Sequence, residues 1–102
     1  MPKAKPKLER DFQSSLIKQL KDLFPSCLVV KLDPNYIQGI PDLLVLYGKR
    51  WAILECKRSA KAAHRPNQDY YISLFDKMSF SRFINPENCS EVLHELQQAF
   101  RA

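Results

Sequence analysis

Two carboxylates and a lysine sit on two short apolar segments. Asp42 opens Asp42-Leu43-Leu44-Val45-Leu46-Tyr47, and Glu55 and Lys57 close Trp51-Ala52-Ile53-Leu54-Glu55-Cys56-Lys57. Gly48-Lys49 lies between them, with glycine first as a type II′ hairpin turn prefers. A two-residue turn sets Tyr47 opposite Arg50, and the same register sets Asp42 opposite Glu55. Opposed side chains share a face, with Cβ atoms about 4.5–5.5 Å apart. Lys57, two residues beyond Glu55, points to that same face. Leu44–Ile53 and Leu46–Trp51 continue it as apolar pairs.

Two carboxylates so placed repel each other. A divalent cation would offset that repulsion, and oxygen ligands of this kind suit Mg²⁺ or Mn²⁺. Phosphodiester hydrolysis needs a metal-activated water and a group that stabilises charge building on the phosphate. The expected division of labour gives the metal to Asp42 and Glu55, and the water and phosphate to Lys57. The plain alternative makes Asp42 a turn cap after Pro41, with Glu55 and Lys57 an exposed edge pair.

The elements that position these residues follow from periodicity. Residues 8–24 carry Leu8, Phe12, Leu16, Leu20, Leu23 and Phe24 at helical spacing, and Pro25 marks the end. Asp11 falls on the watery side. Glu9 falls within the stripe, where a carboxylate is costly unless paired or bound to a cation. Near a helix start it could equally be an exposed acid favoured by the dipole. Residues 27–32 read as a strand, and Asp33-Pro34-Asn35 breaks it. The two apolar segments are nearly continuous hydrophobic runs, which predicts a sheet covered on both faces. Pro66 suits the first turn of a second helix running to Met78, with Tyr70, Tyr71, Leu74, Phe75 and Met78 buried. Residues 80–84 form a short fourth strand. Asn85-Pro86 starts a last helix with Val92, Leu93, Leu96 and Phe100 on one face. The predicted order is α-β-β-β-α-β-α in an α/β fold, and the first seven residues read as a flexible basic arm.

Composition narrows the function classes. With 102 residues the chain suffices for one compact domain. No apolar stretch nears the roughly 20 residues of a membrane span, and the start lacks the apolar segment of a signal peptide. The expectation is a cytoplasmic protein. Cys27, Cys56 and Cys89 are odd in number and lack C-x-x-C spacing, which argues against a disulfide framework or a zinc site. His64 and His94 are isolated. The net charge is +5, with cations gathered in residues 1–10 and 49–65 and acids prevailing after residue 65. Such asymmetry suits a polyanion partner. Arg58, Lys61, Arg65, Lys49 and Arg50 are the candidate phosphate contacts. Tyr36 is a weaker DNA-contact candidate. Tyr70 and Tyr71 could stack on bases, although a core or interface role is favoured.

These residues resemble a family. Gly39-Ile40-Pro41-Asp42-Leu43-Leu44 followed by Ile53-Leu54-Glu55-Cys56-Lys57 is similar to the PD-(D/E)XK nuclease superfamily, and most to its VRR-NUC branch. That branch has a G-[IV]-P-D-L strand, then an E-[VC]-K strand, then a Gln early in the next helix, which Gln68 matches. It also carries a Glu on the first helix, which Glu9 matches. The resemblance covers roughly residues 8–84. It implies a restriction-endonuclease-like core, a mixed β-sheet with flanking helices, forming a nuclease domain over 8–102. It also implies Mg²⁺- or Mn²⁺-dependent DNA cleavage, with Asp42, Glu55 and Glu9 as metal ligands and Lys57 and Gln68 completing the catalytic set. Stand-alone domains of this kind resemble homodimers that cut branched DNA such as Holliday junctions. Two other readings compete: a sequence-specific or nicking endonuclease on duplex DNA, and a DNA-binding module without catalysis.

Overall fold

The computed structural model describes residues 7–101. The basic arm therefore lies outside the described residues, except for Lys7, which begins the first helix. The elements run α1 (Lys7–Leu23), β1 (Leu28–Lys31), β2 (Leu43–Tyr47), β3 (Arg50–Cys56), α2 (Gln68–Met78), β4 (Ser81–Ile84) and α3 (Cys89–Arg101). This is the expected order.

The four strands form one mixed sheet in the order β1-β2-β3-β4. β1 pairs antiparallel with β2, β2 antiparallel with β3, and β3 parallel with β4. A parallel pair cannot be closed by a hairpin, so α2 is the crossover that returns the chain to β4. The β2–β3 register pairs Leu44 with Ile53, Leu46 with Trp51 and Tyr47 with Arg50, as the two-residue turn requires. Of the two turn residues, only Gly48 has a positive φ, at 61°, which is the pattern of a type II′ turn.

The pleat separates two faces. Leu43, Val45, Ala52, Leu54 and Cys56 form one face, which packs on Leu16 and Leu20 of α1, on Phe24 just beyond it, and on Val92, Leu93, Leu96 and Phe100 of α3. Burying a side chain of this size stabilises by about 1.5–3 kcal/mol, and Leu16, Leu20, Leu54 and Leu96 are fully buried. Tyr47 and Phe100 stack at 5.7 Å, and Phe24 meets both rings. α2 covers the other face over β3 and β4, where Trp51 meets Phe75 edge-on at 6.2 Å.

Four details depart from the sequence expectations. Leu8 and Leu23 of the α1 stripe are exposed, at 68% and 37%, as are Tyr70 and Met78 of α2, at 62% and 64%. A stripe wider than its contact leaves its edge residues in water. Coverage of the sheet on both faces holds for β3 and β4 but not for β1 and β2, because α2 lies over β3 and β4 and leaves Leu28 and Leu46 exposed. Pro66 precedes α2 and does not enter it; the N-cap is Asn67, in the left-handed conformation with φ 71°. α3 begins at Cys89, after a turn in which the Asn85 side chain accepts from Glu87 and Asn88 N–H groups. Those side-chain bonds compete with helix formation at the first positions after Asn85.

Candidate functional site

The site lies where the β2–β3 hairpin opens towards the loop before β2 and the start of α2. Asp42 immediately precedes β2, and its carbonyl accepts from Leu32 N–H at 2.8 Å. Extending the observed register one step from Leu43–Leu54 brings Asp42 opposite Glu55. Both residues line a cleft of about 810 Å³.

Each carboxylate is held by the chain itself. Asp42 Oδ2 accepts the Cys56 backbone N–H at 2.8 Å. Glu55, only 1% exposed, accepts Gln68 Nε2–H at 2.8 Å through Oε2. The Lys57 ammonium stands 3.8 Å from that same oxygen. Lys57 also donates to Gln68 Oε1 at 2.7 Å and to the Ala63 carbonyl at 3.0 Å. Gln68 Oε1 further accepts the Arg65 N–H at 2.8 Å. Gln68 can do this because it is the first residue of α2 and points back at the sheet. A buried charge needs such partners, because desolvation otherwise costs several kcal/mol. The sequence argument asked for a cation to offset the carboxylate repulsion. The Lys57 ammonium and these donors supply part of that offset.

The loop before β2 reaches across the cleft to α2. Gly39 has φ 88°, and a Cβ there would stand 2.6 Å from Asn67 Cβ and 3.1 Å from the Pro66 carbonyl. Only a glycine permits so close an approach. Pro34, Asn35, Gln38 and Gly39 thus form one wall of the cleft, with Arg65 and Pro66 facing them.

Glu9 is buried at 8% exposure, so the inward reading of the α1 wheel holds. It does not line the cleft; Gln13, one turn further on, does. Among the described residues, no group of three or more His, Cys, Asp and Glu could hold a metal ion. This finding overturns the expectation of a metal-dependent endonuclease and of a Mg²⁺ or Mn²⁺ cofactor. The donor set implied by the resemblance does not assemble, because Glu9 is placed by the packing of α1 while Asp42 and Glu55 are placed by the hairpin.

The candidate cations divide. Arg65 lines the cleft, and Arg58 and Lys61 lie exposed in the loop between β3 and α2. Lys49 and Arg50 sit at the hairpin turn, the other end of strands that rise about 3.3 Å per residue. They do not join the cleft. Lys31 at the end of β1 does line it, and sequence reasoning passed over it; its position just before the Asp33-Pro34 break was the available signal. Two acids of the second half share one cation: Arg82 pairs with Asp76 and, at 3.4 Å, with Glu95. Among the described residues, Lys31, Arg58, Lys61 and Arg65 have no acidic partner.

Burial raises the thiols of Cys27 and Cys89, with Lys21 partly opposing the shift at Cys27. The three cysteines form no disulfide among the described residues. No helix among the described residues is long and apolar enough to cross a membrane. Neither a family model, nor a curated protein, nor a solved structure matches the chain. The structure by itself shows an α/β fold, a mixed four-stranded sheet flanked by helices, reminiscent of PD-(D/E)XK-like cores.

Proposed function

We propose that this chain is a DNA-binding module that works without metal-dependent catalysis, on a core of the VRR-NUC kind. The observation that carries this reading is the set of exposed cations at and beside the cleft, Lys31, Arg58, Lys61 and Arg65. They lack acidic partners among the described residues, whereas Arg82 takes up Asp76 and Glu95. Cations not engaged in an ion pair remain available to phosphates. The Glu55–Lys57–Gln68 group holds the wall between β3 and α2 in place, so that Arg65 is presented at the rim.

The described elements all pack into one sheet-and-helix core, and none stands apart as a base-reading unit. Recognition therefore rests on shape and phosphates. Two copies related by a two-fold axis would set two such clefts on a symmetric branched DNA. The test is fluorescence anisotropy with labelled four-way junction and linear duplex in EDTA. Binding is expected without divalent metal, with the junction preferred. Replacing Lys31, Arg58, Lys61 and Arg65 together by alanine should weaken binding by about 10²-fold or more. It should also flatten the salt dependence by about 0.9 for each phosphate no longer neutralised. Arg101→Ala, in the last turn of α3, should leave both unchanged. Absence of binding at about 50 mM salt, where phosphate contacts are strong, would overturn the proposal.

A further inference from the structure

α2 covers only half of the sheet face on which it lies. Asp76 ties it to the β4 side, accepting from the Ser81 N–H at 3.2 Å and from the Arg82 guanidinium. Leu74 and Met78, two residues either side of Asp76, lie about half a turn round the helix from it. They therefore look towards β2 and β1. On those strands the pleat sends Val29, Leu43 and Val45 into the core, so Leu28, Val30, Leu44 and Leu46 point the other way. Leu28 sits opposite Leu46, and Val30 opposite Leu44. The result is a step, an apolar floor of two strands beside the apolar flank of a helix. Leu46 continues it through Trp51, its partner on β3, to Phe75 and Tyr71 of α2.

Leu28 is 58% exposed, Leu46 37%, Tyr70 62% and Met78 64%. Together these four leave roughly 400 Å² in water, as much as the largest patch of a typical monomer. That is about half of the roughly 800 Å² which each partner gives to a stable interface, and the half-buried Val30, Leu44, Tyr71 and Phe75 adjoin it. Two strands spaced about 4.8 Å apart make a floor about 10 Å wide, the width of one packed helix. The floor carries no charge, so a phosphate finds nothing to bind there. Two chains of net charge +5 can meet on it without setting like charges together. α2 has the matching chemistry. It exposes Tyr70 and Met78, begins with the acid Asp69 and ends with the base Lys77. Asp69 keeps 74% of its side chain exposed beside His64. An antiparallel copy of α2 brings the acidic end of each helix to the basic end of the other.

We propose that this face is the contact between two copies of the chain, related by a two-fold axis, with the α2 of each seated on the β1–β2 floor of the other. The two helices lie side by side and antiparallel between the two sheets, and each copy supplies the half-layer of helix that the other lacks. A contact that uses the same patch on both partners closes on itself, so assembly stops at the dimer. The inference rests on apolar surface alone, independently of the DNA-binding reading.

The test is analytical ultracentrifugation of the full chain over a concentration series, without DNA, and a dimer is expected. Leu28→Glu, Leu46→Glu and Met78→Glu alter exposed positions, so far-UV circular dichroism should show the fold intact. Each should weaken the dimer by about 10²-fold or more, because it buries an unpaired carboxylate twice. Leu23→Glu, at a site also 37% exposed but in the groove between α1 and α3, should leave the dimer as tight as the parent. Asp69→Lys and Lys77→Asp should each loosen it about tenfold, and the two changes in one chain should restore it. A parent that stays monomeric, or a dimer that tolerates the three floor and flank changes, overturns the inference. A double charge swap no tighter than either single one overturns the antiparallel seating. Junction binding by a monomer overturns this inference alone, and a dimer that binds no DNA overturns the DNA-binding reading alone.

Discussion

Gln68 touches three groups at once: it donates to Glu55 and accepts from Lys57 and from the Arg65 backbone. Replacing it by alanine removes all three bonds and leaves a buried carboxylate and a buried ammonium 3.8 Å apart. Truncating one member of such a group costs the desolvation of those left behind, about 2–4 kcal/mol. Gln68→Ala should therefore lower the urea midpoint markedly, whereas removal of an exposed amide such as Gln98 should stay within about 0.5 kcal/mol. Equal midpoints for the two variants would deny Gln68 this role. The thiols give a second expectation. Burial favours the neutral form of Cys27 and Cys89, and Cys27 Sγ donates to the Leu20 carbonyl at 3.7 Å. Both should alkylate more slowly in the folded than in the urea-unfolded chain. The folded thiols hold their protons above the ordinary thiol range. Their contribution to stability is therefore full below that range and is lost as pH rises through the raised folded values. A urea series towards alkaline pH should show the decline.

At the scale of elements, the loop between β1 and β2 and the β2–β3 turn each depend on a glycine, for different reasons. Gly48 has φ 61° with open space around its Cβ position, while Gly39 has φ 88° and no room. Gly48→Ala should cost about 1 kcal/mol, the penalty for a left-handed alanine. Gly39→Ala adds a clash with Asn67 and Pro66 and should cost about 2 kcal/mol or more, with the cleft wall displaced from α2. Urea unfolding of both variants separates the backbone effect from the close approach, and equal losses would show that the loop yields without cost. The hairpin was legible because a two-residue turn leaves only one register. The covering of the sheet was not. An apolar strand face states that it can be buried, but whether a helix reaches it depends on where α2 is anchored, and Leu28 and Leu46 remain exposed.

For the whole molecule, the sign of the charge on each side governs association. A net charge of +5 is modest, but Arg82 draws Asp76 and Glu95 together away from the loop that carries Arg58, Lys61 and Arg65. The loop keeps Arg58, Lys61 and Arg65 outside these ion pairs, although Glu87 accepts the Ala60 N–H at 2.8 Å between the first two. Its field acts over about 8–10 Å in physiological salt, enough to cover the cleft mouth. Binding should consequently weaken steeply with salt, and at fixed salt the basic-side variant should lose affinity where Arg101→Ala does not.

Spacing alone determined the order of the seven elements, the β2–β3 register and the pairing of Asp42 with Glu55, since turn length and side-chain period are local properties. The helical wheel also sufficed to turn Glu9 inward. Only the tertiary structure decided which groups meet. It brought Gln68 and Lys57 onto Glu55, carried Lys31 and Gln13 into the cleft, and kept Lys49 and Arg50 at the far end of the hairpin. It also left Glu9 out of any metal-holding group with Asp42 and Glu55 among the described residues. These outcomes depend on how α1 and α2 settle against the sheet. That placement is set by packing across residues far apart in the chain, which no local period encodes.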